Sequence, residues 1–587
     1  MEIERSVLGR AWRLRDCDEG RALAIGQRLG LADITARVLA GRGFGLDDVE
    51  GYLEPRLKAW LPDPSHLLDL DRAAERVARA AAKAERVGLI GDYDVDGATS
   101  TAVMGRYLRA LGVEVEVEIP DRLTDGYGPN AAALGRLAAA GCRLVLTLDS
   151  GTTAFEALAA GRGLGLDVVV VDHHAAEAEL PDALAVVNPN RQDQASPLKH
   201  LAAVGVVFVL LVAVGRALRA AGFFAERPEP SLLDRLDLVA LGTVCDVVPL
   251  TGLNRAFVHQ GLKVARRGGT VGLDALARVA GLDEVCRARD FGFVLGPRLN
   301  AGSRTGRSAL AARLLLTDDA SEAAGLATRL HELNGQRQAT ERLVLEAAER
   351  EAEAQARAEL PVLVVAGEGW HQGVVGIVAS RLVERYHRPA FVIGVEGGAG
   401  KGSARSAGGF DIGAAVIEAR RRGLLVKGGG HVMAAGLTVE AGALPAFADF
   451  VRRRHADHSG GAAPEPEPLE LDATVSAGAL ATPLALEVER MAPFGAGNQE
   501  PRFGIADARL VEARPVGENH VGCTLAGPAG VGRTKAIAFR VGGTPLADAL
   551  FRAAGGGSLC LAGRLRVDRF RNREQAQFQI EDAVVEA

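Results

Sequence analysis

Along this chain the spacing of apolar positions switches repeatedly between the helical and the strand period. Arg72 to Glu85 is Ala/Arg/Glu-rich at helical spacing, and Val87-Gly88-Leu89-Ile90 is then a short unbroken apolar run that reads as a buried strand. A helical run follows at Thr99 to Leu111, then an alternating strand at Val113 to Ile119. The pattern recurs as a helix around Ala131 to Ala140, a strand Leu144 to Leu148, a helix Ala154 to Ala160 and a strand Val168 to Val171. Short apolar strands interleaved with helices predict an α/β domain built on a parallel sheet covered on both faces.

The flanks differ. The first fifty or so residues are weakly periodic, with helical stretches such as Asp47 to Tyr52. Residues 318–358 form a long charge-laced helical segment, read as a connector between lobes. A second αβ pattern starts at Pro361 with the strand Val362 to Val365 and runs to about Arg453. The Gly/Pro-rich, acidic stretch SGGAAPEPEP at 459–468 reads as an interdomain linker, polar enough that a cut there is expected to expose no core. Beyond it, short alternating segments such as Lys535 to Phe539 and Phe578 to Ile580, with Gly-rich turns, predict a small β-barrel.

Composition narrows the classes. At 587 residues the length is that of three to four domains. With Lys+Arg 68 against Asp+Glu 74 the net charge is −6, so any nucleic-acid site must be a local basic patch. Aromatics at 4% leave few stacking platforms. The longest uncharged apolar stretch, Leu201 to Gly215, has 15 residues and reads as a buried helix, since a membrane span needs ~20. The N-terminal MEIERSVLGR has no apolar signal core. Cys17, Cys142, Cys245, Cys286, Cys523 and Cys560 lie far apart without a CxxC pair, which suits reduced thiols in a cytoplasm rather than disulfides or a zinc finger.

Three predicted strands end in acids. Val87–Ile90 runs into Asp92, Asp94 and Asp96, Leu144–Leu148 into Asp149, and Val168–Val171 into Asp172-His173-His174. The carboxyl ends of parallel strands share one edge, where ligands bind, so these residues are expected to converge. Asp246, within the apolar LVALGTVCDVVPL, is a fourth candidate. Any one of these acids alone is explained by helix capping. Helix capping does not explain three alternating acids beside an Asp-His-His, because clustered carboxylates repel unless cations compensate them. Carboxylates with imidazole suit manganese or magnesium, and two such ions about 3.5–4 Å apart form a clamp for phosphodiester or phosphoanhydride hydrolysis.

GDYDVDGATS, LDSG, VVVDHH and GTVCDVVPL resemble the four acidic motifs of the DHH phosphoesterase superfamily. GPRLNAGSR (296–304), LNGQRQATE (333–341), GSARS (402–406), GGGH (428–431) and APFGAGNQEP (492–501) extend the resemblance to the RecJ family of single-strand-specific exonucleases. It implies Asp92, Asp94, Asp149, His173 and Asp246 as ligands of two divalent ions, with Asp149 bridging. It also implies His174 facing the scissile phosphate, Asp172 fixing a histidine tautomer, and Asp96 orienting its loop rather than ligating. Ser403 and Arg405 match a pocket for a terminal 5′ phosphate, in a segment that composition alone reads as a Gly-rich surface loop and not as a P-loop. Arg122 and Arg304 are assigned to the same path, His431 to a position facing the active site, and His371 to a structural loop-to-helix role. Asn300-Ala301-Gly302-Ser303-Arg304 departs from the family's Asn-Ala-Ala-Gly-Arg; the arginine is kept, and Ser150 fits the second metal motif. In the barrel, Arg564 and Arg566 are expected on one strand face and Arg569, Arg571 and Arg573 on another, with Phe570 for stacking, as a DNA-binding surface.

The domain plan follows: an N-terminal extension (1–70), a DHH catalytic domain (71–317), the connector (318–358), a DHH-associated lobe (359–458), the linker (459–468) and an OB-type barrel (469–587). The implied activity is a 5′-to-3′ exonuclease that hydrolyses single-stranded DNA to mononucleotides in recombination and repair. The implied setting is a cytoplasmic monomer, off the membrane, served by a helicase and a single-stranded-DNA-binding protein. Two other readings compete. A DHH oligoribonuclease or cyclic-dinucleotide phosphodiesterase lacks the extra barrel, and an inactive single-strand-binding scaffold would lose the metal-site acids, all of which are present here.

Overall fold

The computed structural model describes residues 1–121, 124–285, 287–459, 467–527, 532–570 and 573–585. Five parallel strands form the first sheet, in the order Val115–Glu118, Val87–Gly91, Leu144–Leu148, Asp167–Val171, Ala185–Val187. Val87–Gly91 and Leu144–Leu148 are buried at every position, which is why they read as unbroken apolar runs rather than alternating ones. The register pairs Gly91 with Leu148, Leu148 with Val171, and Val171 with Val187, so the residues that follow share one edge.

Helices pack on both faces. Ala203–Ala220 is longer than the apolar run that announces it, and by length and composition it could cross a membrane. It lies instead in the core, with 72% of it buried. The connector is one helix of 38 residues, Ala320–Arg357, about 57 Å long at 1.5 Å per residue. Its first half buries Ala323, Leu326, Ala327 and Leu330 in the catalytic core, while Val344, Ala348 and Ala352 enter the core of the next lobe. That lobe carries a mixed sheet in the order Lys427–His431, Ala434–Glu440, Ala399–Arg405, Ala390–Glu396, Leu363–Glu368.

Two of the segments that carry the family resemblance lie in regular structure. GSARS lies in the central strand Ala399–Arg405, where a Cβ on Gly402 would sit 2.7 Å from Ile393 Cγ1. Its glycines serve close strand packing rather than flexibility. The Asn300–Arg304 segment is likewise helical, at the end of Gly296–Arg304.

The C-terminal strands close into a barrel. Phe503–Val516, His520–Ala526, Arg533–Ala538, Arg573–Val585 and Ser558–Phe570 follow one another, and the last pairs back to the first. The N-terminal extension belongs to this unit. Ala22, Ile25, Val38 and Leu39 share one core with Phe503, Leu525 and Phe578, and Trp12–Leu14 pairs in parallel with Leu469–Leu471. Trp12 also donates from Nε1 to Asp582 Oδ2 at 2.9 Å. Cutting at 459–468 therefore exposes a core, contrary to expectation, because the barrel's apolar face is covered by residues from the other end of the chain. Residues 460–466 of that linker lie outside the described residues.

Arg255 of helix Gly252–Arg266 ties the units together. Its buried guanidinium donates to the carbonyls of Tyr52, Met491, Ala492 and Pro493 and lies 3.8 Å over the Tyr52 ring. Just upstream, Leu250 N–H donates to Ala496 O at 2.7 Å. The APFGAGNQEP segment is thereby seated against the chain that follows Asp246.

Candidate active site

At the carboxyl edge of the parallel sheet, Asp92, Asp149 and Asp172 each follow a strand and are buried. Asp94 caps helix Val95–Ala110, accepting from Gly97 N–H at 3.0 Å, so the capping role is real there. Gly97 is required because a Cβ would lie 2.4 Å from Asp92 O. Asp149 sits at φ +65°, a left-handed conformation unusual for a non-glycine residue at a strand end. Asp246 caps the C-terminal end of helix Leu236–Cys245 and reaches the cluster from the opposite side.

His173 joins them. Its Nδ1 lies 3.0 Å from Leu201 O, which makes that nitrogen the N–H and leaves the Nε2 lone pair 3.3 Å from Asp149 Oδ1. Asp246 Oδ2 is 3.7 Å from His173 Nδ1. Three groups of potential ligand atoms result, each within 4.8 Å: Asp92, Asp94 and Asp149; Asp149, His173 and His174; Asp96, His173 and Asp246. Asp149 belongs to two of them.

Asp96 and Asp172 organise the surroundings. Asp96 accepts from Ala203 N–H at 2.6 Å and Val204 N–H at 2.9 Å, capping the core helix with both oxygens. It is also 3.8 Å from His173 Nε2. Asp172 accepts from His174 Nδ1 at 2.8 Å and from the backbone N–H of Thr152, His173 and His174. The histidine whose tautomer it fixes is thus His174.

The electrostatics express crowding. Burial first, and neighbouring carboxylates second, push Asp96 and Asp149 well above the usual carboxylate range. Asp246 is raised to about 7 by burial and then Asp94. Burial and then the charge of His174 bring His173 down to about 4, keeping it neutral. For Asp172 burial favours the protonated form, but the bond and charge of His174 with the Thr152 contacts outweigh it, and the carboxylate is held low. Burial also works against a charged His174, yet Asp172 prevails and raises it.

Several residues here were missed in the sequence. Tyr127 places its hydroxyl 3.1 Å from both Asp149 O and His174 Nδ1, with its ring edge-on to His174. It lies in IPDRLTDGYG, the segment that also holds Arg122, and Arg122 itself lies outside the described residues. Asn188 donates to His174 O at 2.8 Å and Asn190 to His173 O at 2.5 Å, pinning the Asp-His-His turn.

The phosphate-pocket candidates converge on the start of helix Gln372–Tyr386. Arg304 Nη1 donates to Gly373 O at 2.9 Å. A Cβ on Gly376 would lie 3.3 Å from Arg405 Nη2 and 3.4 Å from Ser403 Oγ. His371 caps this helix, accepting from Gly373 N–H at 3.0 Å, which is the structural role expected of it. A helix N-terminus flanked by arginines favours an anion. His431 ends strand Lys427–His431 at a hairpin, and among the described residues no hydrogen bond or ion pair joins it to the carboxylates.

The barrel arginines are not an open basic face. Arg564 pairs with Glu581 at 2.7 Å, Arg566 with Glu500, and Arg569 with Glu489 at 2.5 Å and Glu574 at 3.0 Å. Arg569 and Arg573 lie on opposite arms of a hairpin, since Phe570 pairs with Arg573, so they do not share one strand face as expected. The side chain of Phe570 and all of Arg571 lie outside the described residues.

Comparison with known proteins fits this geometry. Residues 86–243 match the DHH family, N-terminal domain; residues 359–457 match the DHHA1 domain; residues 471–582 match the RecJ OB domain. Over 589 residues the chain is 36% identical to the single-stranded-DNA-specific exonuclease RecJ of Salmonella typhimurium, covering 98% of this chain and 99% of that protein. The chain belongs to the RecJ family. Two RecJ family crystal structures from Thermus thermophilus match across 98% of the chain. The complex with Mn2+ has a TM-score of 0.80 at 31% identity over 80% of that chain. The complex with Mg2+ has a TM-score of 0.74 at 30% identity over 78% of its chain.

Proposed function

We infer that this chain is a metal-dependent exonuclease that hydrolyses single-stranded DNA from its 5′ end to mononucleotides. The observation that carries the hydrolytic chemistry is the convergence of Asp92, Asp94, Asp149, His173 and Asp246 with Asp149 common to two ligand groups. The donor set fits two hard divalent ions, manganese or magnesium. Asp149 Oδ1, Asp246 Oδ2 and His173 Nε2 are buried and make no hydrogen bond among the described residues, an arrangement costly to leave uncompensated. When bound, such a pair supplies Lewis acidity at the phosphoryl oxygens and a nucleophile at neutral pH.

The protein's own groups do the rest. Leu201 O and Asn190 hold His173 with Nε2 turned to the acids. Asp172 holds the Nδ1 proton of His174, so its Nε2 is directed away from Asp172 and can donate to a phosphate oxygen, with the raised pKa favouring that charged form. Arg304, Ser403 and Arg405 with the start of helix Gln372–Tyr386 receive the terminal phosphate, and this assignment sets the polarity. We place the enzyme in recombination and repair, as a cytoplasmic monomer receiving strands from a helicase and a single-stranded-DNA-binding protein.

The deciding experiment is digestion of end-labelled single-stranded, duplex and RNA substrates with Mn2+, Mg2+ or chelator. The expected result is mononucleotide release from the 5′ end of single-stranded DNA only with a divalent ion. Release from the 3′ end, or equal digestion of duplex, would refute the assignment.

A further inference from the structure

Among the ligand candidates, Asp92, Asp94, Asp149 and His173 stand on loops that leave the parallel strands, whereas Asp246 comes from a helix end on the opposite side. Its carboxylate has little of its own to hold it. Asp246 N–H donates to Gly242 O at 2.9 Å, but among the described residues its buried Oδ2 accepts no hydrogen bond. The next residue, Val247, sits at φ +61° with its side chain 71% exposed. A β-branched residue in the left-handed region is strained, and it persists only where the flanking chain is held from outside.

What holds it is a turn from the barrel unit. Residues Gly495 to Asn498, the Gly-rich part of APFGAGNQEP, close a tight turn in which Gly495 N–H donates to Asn498 O at 3.0 Å and Asn498 N–H to Gly495 O at 3.2 Å. Its tip meets the chain just beyond Asp246, at Pro249 and Leu250. Ala496 O accepts from Leu250 N–H at 2.7 Å. A Cβ on Gly497 would lie 2.8 Å from Pro249 Cβ, and one on Gly495 would lie 2.7 Å from Leu250 Cδ1. Glycine is required at both positions by this close approach, and Gly497 also sits at φ +68°. Asn498 is buried and braces the turn from behind, donating from Nδ2 to Met491 O at 3.2 Å and Pro493 O at 2.7 Å.

Asn254, fully buried, grips the same segment from the catalytic side. Its Nδ2 donates to Pro249 O at 3.0 Å and to His200 O at 2.7 Å. His200 precedes Leu201, whose carbonyl orients His173. One side chain thus ties the segment behind His173 to the segment behind Asp246. Fastening the two units together does not require this arrangement, because Arg255 already does so through Tyr52 and residues 491–493.

We propose that the Gly495–Asn498 turn is a positioning element for Asp246: by clamping Pro249 and Leu250 against Asn254, it aims that carboxylate at its ion. The barrel unit then completes a metal site whose ligands all lie in the catalytic domain. The inference rests on the metal-dependent exonuclease reading and adds what sets one of its ligands. Groups that orient a ligand without touching the ion govern affinity because they remove the freedom the ligand would otherwise lose on binding.

The test uses the full-length protein, stripped with chelator, and Mn2+ alone as the probe, read by isothermal titration calorimetry. Gly497→Ala should weaken Mn2+ binding about tenfold, the usual scale for disturbing the support of a metal ligand. Gly495→Ala, whose backbone is outside the left-handed region and whose added methyl presses on Leu250 alone, should act in the same direction. Asp246→Asn should also weaken binding, and the Gly497→Ala, Asp246→Asn double variant should bind no worse than Asp246→Asn, because both changes act through one carboxylate. On single-stranded DNA, kcat of both glycine variants should fall at limiting Mn2+ and return at saturating Mn2+, with KM for the strand nearly unchanged. Unchanged Mn2+ affinity in both glycine variants, or a Gly497→Ala loss that adds in full to that of Asp246→Asn, overturns the proposal while leaving the exonuclease reading intact. A wild type that binds no Mn2+ overturns both.

Discussion

His173 Nε2 lies 3.3 Å from Asp149 Oδ1, and among the described residues neither atom makes a hydrogen bond although both are buried. A neutral imidazole lone pair beside a carboxylate oxygen is an acceptor facing an acceptor. It persists because Leu201 O holds the ring from behind and the φ of Asp149 aims its carboxylate from the front. A divalent cation held by Asp149 and His173 would compensate this contact.

Asp149 should accordingly be the most damaging acid to remove. Asp149→Ala is expected to abolish cleavage while single-strand binding largely persists. Retained activity above about a tenth of wild type, a barrier change under ~1.4 kcal/mol, would rule out its shared role.

The metal-free cluster should be pH-sensitive. Asp96, Asp149 and His174 are raised and Asp246 reaches about 7, so the folded state binds these protons more tightly than the unfolded chain. Their stabilising contribution is present at low pH and is lost as pH rises through the folded values. His173, depressed to about 4, opposes this only below the ordinary histidine value of 6.5. Between about pH 6.5 and 8, Tm in chelator should therefore fall as pH rises, and millimolar Mn2+ should raise Tm more at the higher pH. Calorimetry showing a flat chelated profile and an equal Mn2+ shift at both ends would contradict the arrangement.

Arg405→Ala should act on end selection. Most of the preference for 5′-phosphorylated over 5′-hydroxyl strands is expected to disappear, read as a ratio of kcat/KM values. If activity drops equally on both substrates, the pocket serves something other than the terminal phosphate.

Truncation should reveal the shared core. Removing residues 459–587 alone leaves Ala22, Ile25, Val38 and Leu39 uncovered and Arg255 without its Met491, Ala492 and Pro493 carbonyls. This fragment should aggregate, and removing residues 1–53 as well should recover solubility only when Arg255 is also replaced, for example by Met, because a buried guanidinium without partners is strongly destabilising. A soluble, cooperatively melting fragment ending at 458 with residues 1–53 intact would show that the two ends of the chain fold independently.

Much of the architecture is local and was therefore legible. Strand and helix periods are written in neighbouring residues, and strands buried on both faces must read as apolar runs, so Leu144–Leu148 appears in the structure with the bounds expected of it. The convergence of Asp92, Asp149, Asp172 and His173 follows from one topological fact, that parallel strands end on the same edge. Tyr127 was not legible in this way, because a lone aromatic beside a motif looks the same whether it is core or site.

What the tertiary structure alone decided are relations between distant segments. Composition made Arg564, Arg566 and Arg569 a basic patch, but Glu500, Glu581 and Glu489 arrive from elsewhere in the chain and neutralise them. GSARS looked like a loop until the sheet showed Gly402 packed against Ile393. The N-terminal helices looked like an extension until the barrel core enclosed Ile25 and Leu39. Periodicity tells which face of an element is buried, since that depends only on spacing along one backbone. Which surface covers that face depends on shape and charge complementarity between segments hundreds of residues apart, and no local pattern records it.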